Sequence, residues 1–69
     1  MKKIFNVLIE RDREGWLVGT VPSLEGCYTQ ARTFDELHTR VQEAIEVCLE
    51  EDSTEASEFV GMQQVAIEL

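Results

Sequence analysis

The side chains best suited to chemistry in this 69-residue chain are few and stand far apart. His38 is the only histidine, and nothing near it in the sequence forms a recognisable pair of nucleophile and base. Glu10, Asp12 and Glu14 alternate along one short stretch, and clustered carboxylates can bind magnesium. Two arginines separate them, which is typical of a solvated hairpin loop. We therefore expect no catalytic residues and no metal site, and interpret the chain as a binding protein rather than an enzyme.

The cysteines and large aromatic residues also give little support for a cofactor. Cys27 and Cys48 are too few for a disulfide framework, and with one histidine they do not form a structural zinc site. Cys27 follows a glycine and could be a reactive thiol, but a small buried cysteine is the usual case. Trp16 and Tyr28 could stack on bases, yet no basic groove accompanies them, which favours core or interface positions. The sequence also lacks a glycine-rich phosphate-binding loop, so we predict no cofactor.

The charge of the chain is strongly negative and unevenly distributed, with a net value of -8. Residues 1–32 hold five basic and four acidic residues, whereas residues 33–69 hold one basic and ten acidic residues. Such a chain should be repelled by nucleic acid, and a basic protein surface is its electrostatic complement. A solvated face that only maintains solubility remains the alternative. No apolar run approaches the roughly 20 residues that span a bilayer, and no signal peptide is recognised, so we expect a cytoplasmic protein without a membrane span.

Three short strands and a turn pattern are predicted for the first half of the chain. Alternating or β-branched residues predict strands at 3–10, 16–21 and 27–31. Residues 11–15 predict a hairpin loop, and Pro22 ends the second strand because it cannot donate a ladder hydrogen bond. Gly19 within that strand indicates a bulge or a close backbone approach, and Gly26 indicates an unusual backbone angle.

The clearest element is an amphipathic helix near residues 34–50. Thr33 and Glu36 fit a capping box at its start. Residues 63–68 predict a fourth strand. The chain is therefore predicted to form one α+β domain over residues 1–69, with its elements in the order βββαβ. We expect an antiparallel-rich sheet with the helix packed on one face. The predicted core comprises Phe5, Val7, Ile9, Leu37, Val41, Ile45 and Cys48, and the helical apolar stripe also includes Phe34 and Ala44.

The small size of the domain predicts self-association. About 60% of the unfolded surface is buried in a domain of this length, which leaves stability marginal unless a disulfide, a metal or another subunit adds to it. Ile4 and Leu8 leave the second face of the first strand half apolar. We therefore expect a homo-oligomer in which Ile4 and Leu8 take part.

An ordered set of short motifs occupies the middle of the chain. These positions are Gly15, Trp16, Val21, Pro22, Leu24, Gly26, Cys27, Thr29, Gln30, Thr33 and Glu36. The set resembles the HicB family of antitoxins, whose members typically have a glycine-aromatic pair, a valine-proline pair, a loop ending in glycine-cysteine or glycine-valine, and a helix that begins with threonine. The sequence departs from the family at Glu25, Ala31 and Leu37, where proline, glycine and alanine are common.

The resemblance implies a partial ribonuclease H-like fold without catalytic activity. Family members bind HicA, a small basic toxin that cleaves messenger RNA, and commonly self-associate. Longer members continue into a DNA-binding domain. Since this chain stops at Leu69, we expect a short form with no direct DNA binding.

If the partner is such a toxin, the outer helix face and the loop after it are the predicted contact surface. A protein that binds RNA presents positive charge, which an acidic cluster can attract by imitating phosphate. The cluster consists of Glu43, Glu46, Glu50, Glu51 and Asp52. Three alternatives stay open: docking on an open sheet edge, an orphan regulatory or structural module of the same fold, and a vestigial ribonuclease H-like nucleic-acid-binding domain that uses Glu10 and Asp12 with magnesium.

Overall fold

The computed structural model describes residues 2–51, except the side chain of Glu51, and residues 58–69. Three strands, β1 (Leu8–Arg11), β2 (Leu17–Thr20) and β3 (Tyr28–Ala31), precede one helix, α1 (Phe34–Glu51). The strands form an antiparallel sheet in the order β1-β2-β3. The α+β class and the predicted βββα order are therefore confirmed.

Alternation along the strands divides the sheet into a covered face and an open face. Leu17 and Ala31 are cross-strand partners on the covered face, and both are buried beneath α1. On the open face, Leu8 pairs with Thr20 and Thr20 pairs with Tyr28, so these three residues form a row across the sheet. Leu8 and Tyr28 are exposed on this face, and Tyr28, which lies on the edge strand β3, also borders a groove shared with α1.

The start of α1 follows the predicted capping box, with one difference. The Thr33 hydroxyl accepts a hydrogen bond from the Glu36 backbone N–H at 3.1 Å, and the Thr33 carbonyl accepts the first helical bond from Leu37 N–H at 2.9 Å. The Glu36 carboxylate accepts from the backbone N–H of Arg32, at 3.0 Å, rather than from that of Thr33. Asp35 and Glu36 also place negative charge near the positive end of the helix dipole.

Gly19 permits α1 to approach β2 closely. A Cβ atom at this position would lie 3.1 Å from Val41 Cγ2, 3.3 Å from Val7 Cγ1 and 3.4 Å from Leu37 Cδ1. The register of β1 with β2 continues unbroken through Gly19, so the glycine marks a close approach and not a bulge.

The core lies between α1 and the β2–β3 half of the sheet. Leu37 and Val41 are buried as predicted, and Phe5, Val7, Ile45 and Cys48 pack around them partly buried. The prediction for Ile9 is wrong, because this side chain is 48% exposed. Within the described residues α1 packs on β3 and β2 without reaching β1, so the helix does not cover Ile9. The core also contains five residues outside the predicted set: Leu17, Val21, Leu24, Cys27 and Ala31.

The predicted fourth strand is not formed. Residues 58–69 contain no strand, and the first strand has ladder pairing only from Leu8 onward. Val65, Ile67 and Leu69 have the alternation of a strand but are exposed. Alternation alone does not make a strand, because the backbone N–H and C=O groups must also find a partner. No strand of the described part of this chain provides that partner.

Candidate partner-binding surface

The hairpin loop between β1 and β2 is built around Asp12. Its carboxylate Oδ1 accepts hydrogen bonds from the backbone N–H groups of Glu14 and Trp16, both at 2.9 Å. Gly15 takes a φ of 89°, a conformation that glycine adopts without steric cost. Asp12 is thus used as a turn residue. Within the described residues no group of three histidine, cysteine or acidic side chains is placed to hold a metal ion.

Trp16 and Arg32 join this hairpin to the start of α1. The Arg32 guanidinium carbon lies 3.7 Å from the centre of the Trp16 ring, within the range of a cation–π contact. Arg32 Nη1 also donates to the Glu14 carbonyl at 3.3 Å. The motif residues Gly15, Trp16 and Glu36 therefore meet at one corner of the molecule, where they fix the hairpin against the helix.

A second part of the motif folds the connection between β2 and β3. Val21 N–H donates to the Cys27 carbonyl at 2.9 Å, and Cys27 N–H donates to the Leu24 carbonyl at 3.1 Å. These three side chains are buried, and Gly26 has a φ of 73° that satisfies the predicted unusual angle. The motif is thus explained by local structure, without requiring a reactive group.

Cys27 is buried, as the sequence predicted, and its thiol has low reactivity. Burial, followed by its hydrogen bond and charge interaction with Cys48, raises the pKa of the Cys27 thiol to about 12. Because the thiolate is the reactive form, Cys27 stays an unreactive thiol at neutral pH. Both cysteines are free.

The acidic face of α1 is formed by three exposed glutamates. Glu43, Glu46 and Glu50 follow a spacing of three and four residues, which places them along one side of the helix. Two predicted members of the cluster are not placed, because the Glu51 side chain and Asp52 lie outside the described residues. The acidic face hereafter means Glu43, Glu46 and Glu50.

The one arginine of α1 makes its described contacts away from this face. Arg40 Nη2 lies 3.6 Å from Glu36 Oε2, and its Nη1 donates to the Gln30 carbonyl at 2.8 Å. The last turn of α1 contains no basic residue. Lys3 borders a groove with Glu46, but the helix itself adds no positive charge at the end of the acidic face where its dipole is negative.

A shallow groove runs between β3 and α1 beside this face. It has a volume of about 480 Å³ and is bordered by Tyr28, Arg40, Glu43 and Val47, among other residues. Tyr28 and Val47 are 68% and 50% exposed. The groove thus brings exposed apolar residues next to Glu43, a combination that the sequence analysis did not identify. The period-2 pattern of β3 could have indicated Tyr28, but not its closeness to α1.

The other predicted site residues are accessible but are not brought into this surface. Ile4 and Leu8 are exposed, and their part in self-association stays a prediction. His38 lies exposed on α1 and borders an apolar groove with Val7 and Ile9. No helix among the described residues is long and apolar enough to cross a membrane.

The fold defines a small α+β domain in which the motif residues described above form turns, a helix cap and part of the core. Residues 5–68 match the family described as the HicB-like antitoxins of bacterial toxin-antitoxin systems, and the chain belongs to that family. The resemblance drawn from the sequence is confirmed.

Relatives of similar length are found in bacteria and archaea. A UPF0150 protein of Synechocystis is 51% identical over 67 residues, which cover 96% of this chain and 97% of the relative. A UPF0150 protein of Archaeoglobus fulgidus is 50% identical, with 91% of this chain and 93% of the relative covered. A third, from Thermotoga maritima, is 34% identical, with coverage of 99% and 95%. The match therefore extends over nearly the whole chain in each case.

Proposed function

We propose that this chain neutralises a small, basic, HicA-like toxin that cleaves messenger RNA, and that it does so by binding the toxin directly. The observation that carries the proposal is the exposed acidic face of α1, whose last turn has no basic residue, in a member of an antitoxin family. A toxin that binds RNA must present positive charge, so its RNA-binding surface is complementary in charge to the acidic face. Binding there would block access of the RNA.

The position of the acidic face favours a binding role over solubility alone. Glu50 lies in the last turn of α1, where a negative side chain opposes the helix dipole and a lysine would be more stabilising. Residues kept at a cost to stability are expected where function requires them. Solubility could be supplied by acidic residues at any exposed position.

The groove beside the acidic face supplies the apolar part of the proposed contact. Charged pairs at the rim of an interface mainly govern the association rate, whereas buried aromatic and aliphatic anchors give most of the affinity. Tyr28 and Val47 are exposed next to Glu43 and suit this second role. We propose that the toxin meets the acidic face first and then packs onto Tyr28 and Val47.

The cellular compartment of the proposed complex follows from the RNA that the toxin cleaves. Messenger RNA is cytoplasmic, so we place the complex in the cytoplasm. The chain works by binding and not by catalysis, and with a net charge of -8 it makes no direct contact with DNA.

Co-purification of the full chain from its own host tests for a partner of the proposed kind. We expect one small basic protein, encoded beside this chain, to be captured at low salt and captured more slowly at high salt. The test variant is Tyr28→Lys combined with Val47→Lys, which changes two exposed residues of the proposed contact and should retain less of the partner. Recovery of no basic partner would favour the orphan module, and recovery of RNA instead would favour the nucleic-acid-binding alternative.

A further inference from the structure

The two cysteines of the chain lie against each other, although they are far apart in the sequence. Cys27 immediately precedes β3 and is buried, whereas Cys48 lies in the last turn of α1 and is half-buried. A hydrogen bond joins the two side chains, and Cys48 packs against the core cluster that contains Cys27. Both thiols are free. The fold therefore places two thiols in contact that no local motif pairs.

The backbone around this pair is fixed on one side and ends a helix on the other. Cys27 N–H donates to the Leu24 carbonyl at 3.1 Å, and the Cys27 carbonyl accepts from Val21 N–H at 2.9 Å. A disulfide requires the two sulfur atoms to approach to about 2 Å. The last turn of a helix can supply such a shift more easily than its middle, because its final carbonyl groups have no partner within the helix.

One of the two thiols is accessible to a reagent in solution. Cys48 borders the groove between β3 and α1 together with Gly26 and Val47, whereas Cys27 is 1% exposed. Burial raises the pKa of the Cys27 thiol to about 12, so reagents in solution find little thiolate there. A well-oriented neighbouring group acts at an effective concentration of about 10⁵ M or more, which offsets a small thiolate fraction. Cys48 is therefore placed to react first and Cys27 to react with Cys48.

We propose that a low-molecular-weight disulfide such as oxidised glutathione converts Cys27 and Cys48 into an intramolecular disulfide, which fastens the end of α1 to the connection between β2 and β3. Cys48 gives up its proton and attacks one sulfur of the reagent, which forms a mixed disulfide and releases one glutathione as the thiol. Cys27 then gives up its proton, attacks the Cys48 sulfur and releases the second glutathione. Two protein thiols are thus oxidised and one glutathione disulfide is reduced to two thiols.

The cross-link is expected to act as a redox-controlled lock on the domain. It closes a loop over residues 27–48, and a loop of about this length typically lowers the unfolding equilibrium constant roughly 100-fold. In a domain whose small core leaves stability marginal, this change is large. Disulfides in a reducing compartment are usually transient and redox-sensing, which fits a reversible lock. The inference concerns this chain alone, so failure of the toxin proposal would leave it unchanged.

Intact mass spectrometry of the full chain after incubation with oxidised glutathione tests the bond. We expect the mass of one chain less two hydrogens, and a reductant should restore the original mass. Trypsin cleaves after Arg13, Arg32 and Arg40, so digestion without reduction should give residues 14–32 joined to residues 41–69. An unchanged mass, a persistent glutathione adduct or a disulfide between two chains would overturn the proposal.

Two single-cysteine variants test the order of the two steps. Cys27→Ala should accumulate a glutathione adduct on Cys48, because the second thiol is absent. Cys48→Ser should accumulate much less adduct, because Cys27 is buried. Equal adduct formation in the two variants would contradict the assigned order, and circular dichroism checks that both remain helical.

Urea denaturation of the wild-type chain tests the lock without any substitution. The midpoint of the oxidised chain should lie above that of the reduced chain, and addition of a reductant should remove the difference. The two single-cysteine variants should show no such rise after the same treatment. An oxidised wild-type chain with an unchanged or lower midpoint would contradict a stabilising cross-link.

Discussion

Reversing the acidic face of α1 should slow capture of the toxin roughly tenfold or more at low salt, because electrostatic steering typically raises association rates by about 10- to 1000-fold. The variant carries Glu43→Lys, Glu46→Lys and Glu50→Lys. Its dissociation rate should change much less, since the exposed charges act mainly before contact is complete. Stopped-flow measurement with the basic partner recovered by co-purification, over a range of salt concentrations, gives both rates.

A second triple variant controls for net charge. Glu10, Glu14 and Glu25 are exposed and lie outside α1, and their reversal to lysine changes the total charge by the same amount. If the acidic face steers the toxin, this control should be captured much faster than the α1 variant. Equal slowing by the two variants would show that only total charge matters and would remove α1 as the steering surface.

The α1 variant should keep its fold, so slower capture cannot be attributed to unfolding. Glu43, Glu46 and Glu50 are exposed, and lysine is a good helix former. The last turn of α1 has no basic residue, so lysine at position 50 also improves the interaction with the helix dipole. Thermal unfolding of the variant should occur at or above the wild-type temperature.

Truncation of Leu37 to alanine should cost roughly 2–5 kcal/mol of the free energy of unfolding. Leu37 is 2% exposed and is among the largest fully buried side chains of the domain. Its Cδ1 atom faces Gly19, so the cavity would open where α1 lies closest to the sheet. A chain of this length has a total stability of only about 3–10 kcal/mol. Urea denaturation at a fixed protein concentration measures the loss.

Leu49→Ala is the matched control for this truncation. It removes the same atoms from the same helix, but Leu49 is 40% exposed and lies outside the buried core. Its cost should be below about 1 kcal/mol, since exposed positions have small effects. Similar costs for the two variants would mean that the packing of α1 on β2 does not stabilise the domain as described.

Elements whose determinants are local could be predicted from the sequence. The helix predicted for 34–50 is observed at Phe34–Glu51, because Thr33 caps it and its apolar residues repeat with helical spacing. The hairpin was also predictable, since Asp12 and Gly15 supply the bonds and the backbone angle that the turn requires. The residue type of Gly19 indicated a bulge or a close approach, and only the packing of Val41 and Leu37 against it shows which of the two is present.

Features that depend on contacts between distant residues were not predictable in the same way. The exposure of Ile9 follows from the placement of α1 over β2 and β3, which no local pattern specifies. Residues 65–69 have the alternation of a strand, but pairing needs a partner edge, and alternation does not say which edge or which molecule supplies it. The stacking of Arg32 on Trp16 likewise joins residues far apart in the sequence.

The candidate surface also has one part that was predictable from local sequence and one part that depends on contacts between distant residues. The acidic face was predictable because helical periodicity places Glu43, Glu46 and Glu50 together once the helix is recognised. The groove beside it was not, because Tyr28 and Val47 belong to different elements whose separation depends on the packing of α1 against β3. Sequence alone therefore predicted the charged part of the surface and missed the apolar part.

Inhibition of RNA cleavage by this chain is the most direct test of the central claim. The basic partner recovered by co-purification is mixed with an RNA substrate, and the full chain is added in increasing amounts while the initial cleavage rate is measured. Direct neutralisation predicts that the rate falls linearly and reaches zero at a fixed molar ratio of the two proteins. A cleavage rate that is unchanged by a large excess of the folded chain would contradict the proposed function.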